Sequence, residues 1–150
     1  MPPYNNPYDP QNPRILLVDD NSCLLNAGSI YLERRVNFRV DTALSGKEAL
    51  ECFKHTSYDA VISDYEMPLM DGPELKRRLR ARGIMTPFLF FTIREWSEIP
   101  PDICDDPGTY VCKCGVPAVQ YSRLAHCVRE EINRVHAEAG FRDLEAPAGI

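Results

Sequence analysis

The chain has 150 residues, of which 26% are Asp, Glu, Lys or Arg, and a formal net charge of −5 at neutral pH. That length supports one domain with a proper core and hardly two, and the acidic balance removes any general attraction to nucleic acid. No stretch approaches the roughly 18 consecutive apolar residues of a membrane span, and the first residues lack the charged-then-apolar layout of a secretory leader; the expectation is a cytoplasmic protein with no direct nucleic-acid or membrane partner.

Residues 1–13 carry Pro2, Pro3, Pro7, Pro10 and Pro13 among Tyr, Asn and Asp, the composition of an extended, disordered arm. Arg14 to Val18 is then a near-continuous apolar run, as expected of a parallel strand buried on both faces. Asn21 or Ser22 can cap a helix whose apolar face is Leu24, Leu25, Gly28, Tyr31 and Leu32, and Phe38 to Thr42 reads as a second strand. Ser45 with Glu48 three residues on is a capping box, opening a helix that buries Ala49, Leu50 and Phe53. Ala60 to Ser63 is a third strand. Asp71, Gly72 and Pro73 open a further helix with a buried stripe of Leu75 and Leu79, and Gly83 ends it.

Phe88 to Thr92 is the fourth strand. The segment from 95 to 108 should hold a fourth helix, but Pro100 and Pro101 remove two amide donors and clash with a helix passing through them, so at most one short turn is expected. Tyr110 to Cys112 forms a fifth strand, and a last helix from about Val119 to about His136 carries Leu124, Val128, Ile132 and Val135 at helical spacing. Strands alternating with helices predict a doubly wound parallel sheet. The folded unit spans 14–137, followed by a short tail at 138–150 with no further domain, which leaves output to a partner.

The six cysteines lie at 23, 52, 104, 112, 114 and 127, inside or beside periodic segments rather than in a loop-rich framework, and read as reduced thiols. Cys112 and Cys114 have no second pair to complete a zinc site. The basic run Lys76, Arg77, Arg78, Arg80 and Arg82 reads as a solvated helix face. His55, His126 and His136 share no spacing and are assigned to no site.

Polar residues close four of the apolar strands: Asp19 and Asp20, Asp64, Thr92 and Lys113. In open α/β sheets that edge is where ligands bind. Three carboxylates converging there repel one another unless a cation neutralises them, and Mg²⁺, which takes hard oxygen ligands and keeps several waters, suits such a set. Asp64 is then a candidate nucleophile able to form an acyl phosphate. Lys113 would offset charge on the transferring group, and the Thr92 hydroxyl would donate to a phosphoryl oxygen.

The run Ile15-Leu16-Leu17-Val18-Asp19-Asp20, the segment Asp64 to Gly72, Thr92 closing an aromatic strand and Tyr110 three residues before Lys113 together resemble a two-component response-regulator receiver domain. The resemblance covers about residues 14–137. It implies a flavodoxin-like fold, a five-stranded parallel sheet of order 2-1-3-4-5 with a degenerate fourth helix. It also implies that Asp64 accepts a phosphoryl group from a histidine kinase or phosphotransfer protein. Mg²⁺ would be bound by Asp64, by Asp20 directly, by Asp19 through water and by the backbone carbonyl of Glu66. Thr92 and Tyr110 would be the switch pair that reports phosphorylation to a downstream protein target. The Lys-Cys-Gly ending before a long amphipathic helix is similar to receivers at the front of archaeal sensor-kinase chains.

Three positions depart from the family's pattern. Cys114 stands where receivers usually have a cis-proline, so either a strained peptide bond is kept or the loop runs differently, with Gly115 supplying the freedom. Ile93 stands where a small residue is usual. Glu66 and Arg94 occupy the two variable positions flanking the entrance and can pair across it. Two other readings stay open beside the phosphorylatable switch, namely a receiver fold kept as a phosphorylation-independent interaction module, and a phosphohydrolase similar to haloacid-dehalogenase enzymes in which Glu66 serves as acid and base.

Overall fold

The computed structural model describes residues 8–103 and 107–145. Five strands, β1 (Arg14–Val18), β2 (Arg39–Ala43), β3 (Ala60–Ser63), β4 (Phe88–Thr92) and β5 (Tyr110–Cys112), form one parallel sheet in the order β2-β1-β3-β4-β5. The helices are α1 (Ser22–Arg35), α2 (Gly46–His55), α3 (Gly72–Ala81) and α4 (Pro117–Glu145). This is the expected doubly wound, flavodoxin-like architecture with the expected strand order.

β1, β3 and β4 are unbroken apolar runs because both of their faces are covered. Ile15 and Leu17 of β1 face a core shared with Leu25 and Leu32 of α1 and Leu124, Val128 and Ile132 of α4. Leu16 and Val18 point the other way, into a core shared with Leu50 and Phe53 of α2 and Leu75 and Leu79 of α3. The helices therefore cover the sheet in pairs. Leu24, expected on the buried face of α1, is 45% exposed, because the stripe through Leu25, Gly28 and Leu32 is the one that meets the sheet.

Each of the first three helices starts where a short polar side chain satisfies free amides. Asn21 Oδ1 accepts from the amides of Cys23 and Leu24 at 3.0 and 3.1 Å, Ser45 Oγ from Glu48 at 3.1 Å, and Asp71 Oδ1 from Glu74 at 2.9 Å. The Glu48 carboxylate closes the capping box onto the amide of Leu44, at 2.5 Å, rather than that of Ser45.

Gly72 marks a close approach between α3 and the end of β3. A Cβ there would lie 2.4 Å from the carbonyl oxygen of Asp64 and 2.9 Å from Cε1 of Phe90. Backbone cannot yield as a side-chain tip does, so Gly72→Ala is expected to cost about 3 kcal/mol in a urea unfolding experiment. A loss under about 0.5 kcal/mol would show that the loop after β3 adjusts freely.

Three local expectations are corrected. The arm is held from Tyr8 onward, not disordered throughout: Asn12 Nδ2 donates to Asn37 O at 2.6 Å, Asn37 Nδ2 to Gln11 O at 3.1 Å, and Arg129 to Pro10 O at 3.3 Å, while the Tyr8 ring stacks on His136 at 3.9 Å. Prolines lack donors but keep acceptor carbonyls, and side-chain donors from distant elements find them. Residues 1–7 lie outside the described residues, as do 146–150.

α4 also exceeds its expected bounds of 119 to 136. It begins at Pro117, which suits a first helical turn, and continues past 137 to Glu145, with Arg134 bridging Glu131 and Glu138 at helical spacing. Between β4 and β5 the chain makes two 3₁₀ turns, Trp96–Glu98 and Pro107–Thr109, and a hydrogen-bonded turn from Pro100 to Ile103, where one short turn was expected. No described helix is long and apolar enough to cross a membrane.

Candidate functional site

The parallel pairing continues one residue beyond the strand ends, which fixes the polar side chains that follow. Asp19 N–H donates to Ala43 O at 3.1 Å, Asp64 N–H to Val18 O at 3.0 Å and Lys113 N–H to Thr92 O at 2.8 Å. Residues far apart in the chain are thereby brought to one edge. One carboxylate oxygen from each of Asp19, Asp20 and Asp64 lies within 4.8 Å of the others. Lys113 Nζ donates to Asp19 Oδ2 at 2.7 Å and to Asp64 Oδ2 at 3.0 Å.

These groups are largely removed from water, with side-chain exposures of 9% for Lys113, 8% for Asp19 and 18% for Asp64, whereas Asp20 faces solvent. Burial alone would lower the Lys113 pKa, but Asp19 and Asp64 outweigh it and hold the ammonium above its ordinary value. One ammonium against three carboxylates still leaves negative charge in excess. A compact set of hard oxygen donors with unbalanced charge fits a small divalent cation such as Mg²⁺. Asp19 Oδ1 already accepts from the amide of Asn21 at 2.9 Å and Asp64 Oδ1 from that of Tyr65 at 2.7 Å, so both carboxylates are oriented before any ligand arrives.

The residues after Asp64 and Thr92 frame this edge. Glu66 and Arg94 form an ion pair, as the sequence suggested, and the guanidinium lies 4.9 Å from the centre of the Tyr65 ring. Thr92 is buried, and its Oγ1 accepts from the amide of Arg94 at 3.3 Å, while the Tyr110 hydroxyl donates to the carbonyl of Arg94. The expected switch pair thus holds residue 94 at both its amide and its carbonyl. Burial first, then the Cys112 thiol, pushes the Tyr110 hydroxyl up to about 12, so it stays a donor at neutral pH.

The Lys113–Cys114 peptide is trans, and Gly115 turns the chain with a φ of 85°. Of the two ways the lysine loop might run, the chain takes the one that uses glycine. Ile93 is 77% exposed, and its bulk stands outside the buried cluster. His126 pairs with Glu130 at 3.1 Å and His136 stacks on Tyr8, and neither belongs to the carboxylate cluster. Tyr65, beneath the Arg94 guanidinium, was not singled out from sequence, where only its place beside Asp64 pointed to it.

A carboxylate with one oxygen held by an ammonium, beside a cation-seeking pair of carboxylates and a buried hydroxyl, can act as an acceptor in phosphoryl transfer. Comparison with known proteins bears on the family and the fold. Residues 15–102 match the family model of the response regulator receiver domain. The transcriptional regulatory protein TrcR of Mycobacterium tuberculosis is 37% identical over 82 residues, 55% of this chain and 32% of that protein. The transcriptional regulatory protein QseB of Haemophilus influenzae is 29% identical over 125 residues, 83% of this chain and 56% of that protein. The chain therefore spans only part of the length of these relatives. Among solved structures, the receiver domain of Francisella response regulator 1452 superposes with a TM-score of 0.71 at 25% identity, covering 83% of this chain and 99% of that one. The response regulator TrrA of Thermotoga maritima, solved in complex with Mg²⁺-BeF, superposes with a TM-score of 0.62 at 27% identity, covering 77% and 98%.

Proposed function

The chain belongs to the response regulator receiver family, and from that premise we propose that it is a phosphorylation-dependent signalling switch that accepts a phosphoryl group from a histidine kinase or phosphotransfer protein on Asp64. Membership supports a two-component signalling role. The acceptor assignment rests on one observation above all, the convergence of Asp19, Asp20 and Asp64 on Lys113 at the carboxyl edge of the sheet.

In the proposed step a carboxylate oxygen of Asp64 attacks phosphorus as the bond from phosphorus to the donor's imidazole nitrogen breaks, giving an acyl phosphate and a neutral histidine. Lys113 already touches Asp64 and would follow the charge onto the phosphoryl oxygens. The Thr92 oxygen accepts from Arg94, which leaves its hydroxyl proton free to be donated to the new group. That donation would loosen the hold on residue 94, and Tyr110, bonded to the same residue, would feel the change. Asp20, Asp64, the Glu66 carbonyl and, through water, Asp19 would hold Mg²⁺, which when bound supplies the positive charge that lets an anionic phosphate approach a carboxylate. Output would pass to a protein partner.

Trp96 is the chain's single tryptophan, and its ring centre lies 5.4 Å from that of Tyr110. Its fluorescence should therefore change when acetyl phosphate is added with Mg²⁺, and not when Asp64 is replaced by Asn. An unchanged signal in a chain shown by mass to be phosphorylated would refute the Thr92–Arg94–Tyr110 relay.

The Glu66–Arg94 pair should also slow the loss of the phosphoryl group by restricting water at the site. Exposed ion pairs contribute little, so Arg94→Ala is expected to shorten the acyl-phosphate lifetime by only about threefold. A lifetime equal to or longer than that of the wild type would exclude this role.

A further inference from the structure

We propose that Cys112 and Cys114 form an oxidisable dithiol which, once bridged across Lys113, shuts down phosphoryl uptake. Alternation along β5 and its extension places Val111 and Lys113 on one side, in the core and the acidic cluster, and Tyr110, Cys112 and Cys114 on the other. The two thiols differ in access. Cys112 is half-buried and Cys114 is exposed. Arg123 of α4 directs Nη1 to Cys114 Sγ at 3.9 Å and forms no salt bridge among the described residues.

This arrangement divides the labour between the two sulfurs. The hydrogen bond from the Cys112 thiol, then the Arg123 guanidinium, hold the Cys114 thiol below its ordinary pKa, while contact with Cys114 and then burial push Cys112 up. An exposed, more readily ionised thiol beside a less acidic one is the pattern of an attacking and a resolving cysteine. Cys52 and Cys127 show the opposite, each pushed up by burial, and neither has a thiol partner among the described residues.

The chemistry needs a hydroperoxide as oxidant. The Cys114 thiolate attacks one peroxide oxygen, the O–O bond breaks, and the departing alkoxide or hydroxide takes a proton, leaving a sulfenic acid. The Cys112 thiol then attacks that sulfur, the S–O bond breaks and water leaves with the thiol proton. Two thiols have lost two electrons, and the hydroperoxide has become an alcohol, or water, plus a second water. A dithiol reductant reverses the bridge by exchange.

The consequence at Lys113 is geometric. Residues two apart on a strand have Cα atoms about 6.6 Å apart, near the upper end of the roughly 4.4 to 6.8 Å that disulfides span. Closing the bridge draws the strand end together around Lys113, with Gly115 free to follow. The Lys113 amide bond to Thr92 O and the ammonium contacts with Asp19 and Asp64 lie on that same residue. The thiol site stands on its own geometry, and only its effect on uptake rests on the phosphotransfer reading.

The test treats the full chain with hydrogen peroxide, maps disulfides by peptide mass after trypsin, which cuts between the two cysteines at Lys113, and measures phosphoryl uptake from acetyl phosphate before and after. Expected are a bond between Cys112 and Cys114, absent in Cys114→Ser and Cys112→Ser, an uptake rate at least about tenfold lower in the bridged chain, and recovery with dithiothreitol. Iodoacetamide should label Cys114 before Cys23, the other exposed thiol among the described residues, and Arg123→Ala should slow that labelling about threefold. No bond between the pair, or labelling of Cys114 no faster than that of Cys23, overturns the dithiol. A bridged chain that takes up phosphate as fast as the dithiol form overturns the switch. If the reduced wild type takes up none, the phosphotransfer reading has failed, and the disulfide map still decides the dithiol.

Discussion

An Asp64→Asn chain is expected to take up no measurable phosphoryl group from acetyl phosphate, a fall of at least about a thousandfold, because the amide offers no anionic oxygen to attack phosphorus. The substitution keeps the shape of the side chain and the acceptor for the Tyr65 amide, so the loop after β3 should stay in place. It also removes one of three mutually repelling carboxylates. Stability in the absence of Mg²⁺ should therefore hold or rise, and a urea midpoint at or above that of the wild type would separate lost chemistry from lost fold. Mg²⁺ binding should weaken in the same chain. Uptake that persists, with the adduct on another residue, would move the acceptor elsewhere on the sheet edge.

Lys113→Met is expected to have the second largest effect and to act in two directions. Without metal it strips from Asp19 and Asp64 the ammonium that pairs with both, and breaking such a buried pair costs about 3 kcal/mol. With metal the sign reverses, since Lys113 and Mg²⁺ draw on the same carboxylates. Mg²⁺ affinity should rise about tenfold, the equivalent of ~1.4 kcal/mol, as read by calorimetric titration. The stability that Lys113 contributes also has a defined pH window. Its folded pKa lies above the unfolded value of about 10.4, so the contribution is complete below that pH and disappears as pH rises through the folded value. The wild type should lose stability relative to Lys113→Met across that alkaline range. Parallel pH profiles for the two chains, or weaker Mg²⁺ binding in the variant, would contradict the ion-pair account.

How far the sequence carried this reading depended on whether the cause was local. The buried strands were legible because covering both faces of a sheet demands uninterrupted apolar residues, and their polar closures followed from where those runs stop. Asn21 and Ser45 were legible as caps for the same reason: each sits within three residues of the amides it serves. The placement of residues 8–13 of the proline-rich arm was not, because acceptors there are filled by Asn37, Arg39 and Arg129, which only the folded chain brings to them. The Arg94 peptide held between Thr92 and Tyr110 was hidden in the same way. Pairing of Glu66 with Arg94 was legible through the resemblance, which puts them at the two entrance positions, each two residues after Asp64 or Thr92, whereas the extent of α4 beyond its buried stripe had no periodic apolar signal to mark it.

Family membership fixes the fold and the kind of signalling, and the acceptor chemistry remains the central claim. The most direct measurement is the intact mass of the wild-type chain after incubation with acetyl phosphate, with Mg²⁺ and with EDTA in its place. A single phosphoryl adduct that requires Mg²⁺ and maps to Asp64 is the predicted result. A folded chain that gains no adduct under either condition would contradict the account and leave a receiver fold that works by contact alone.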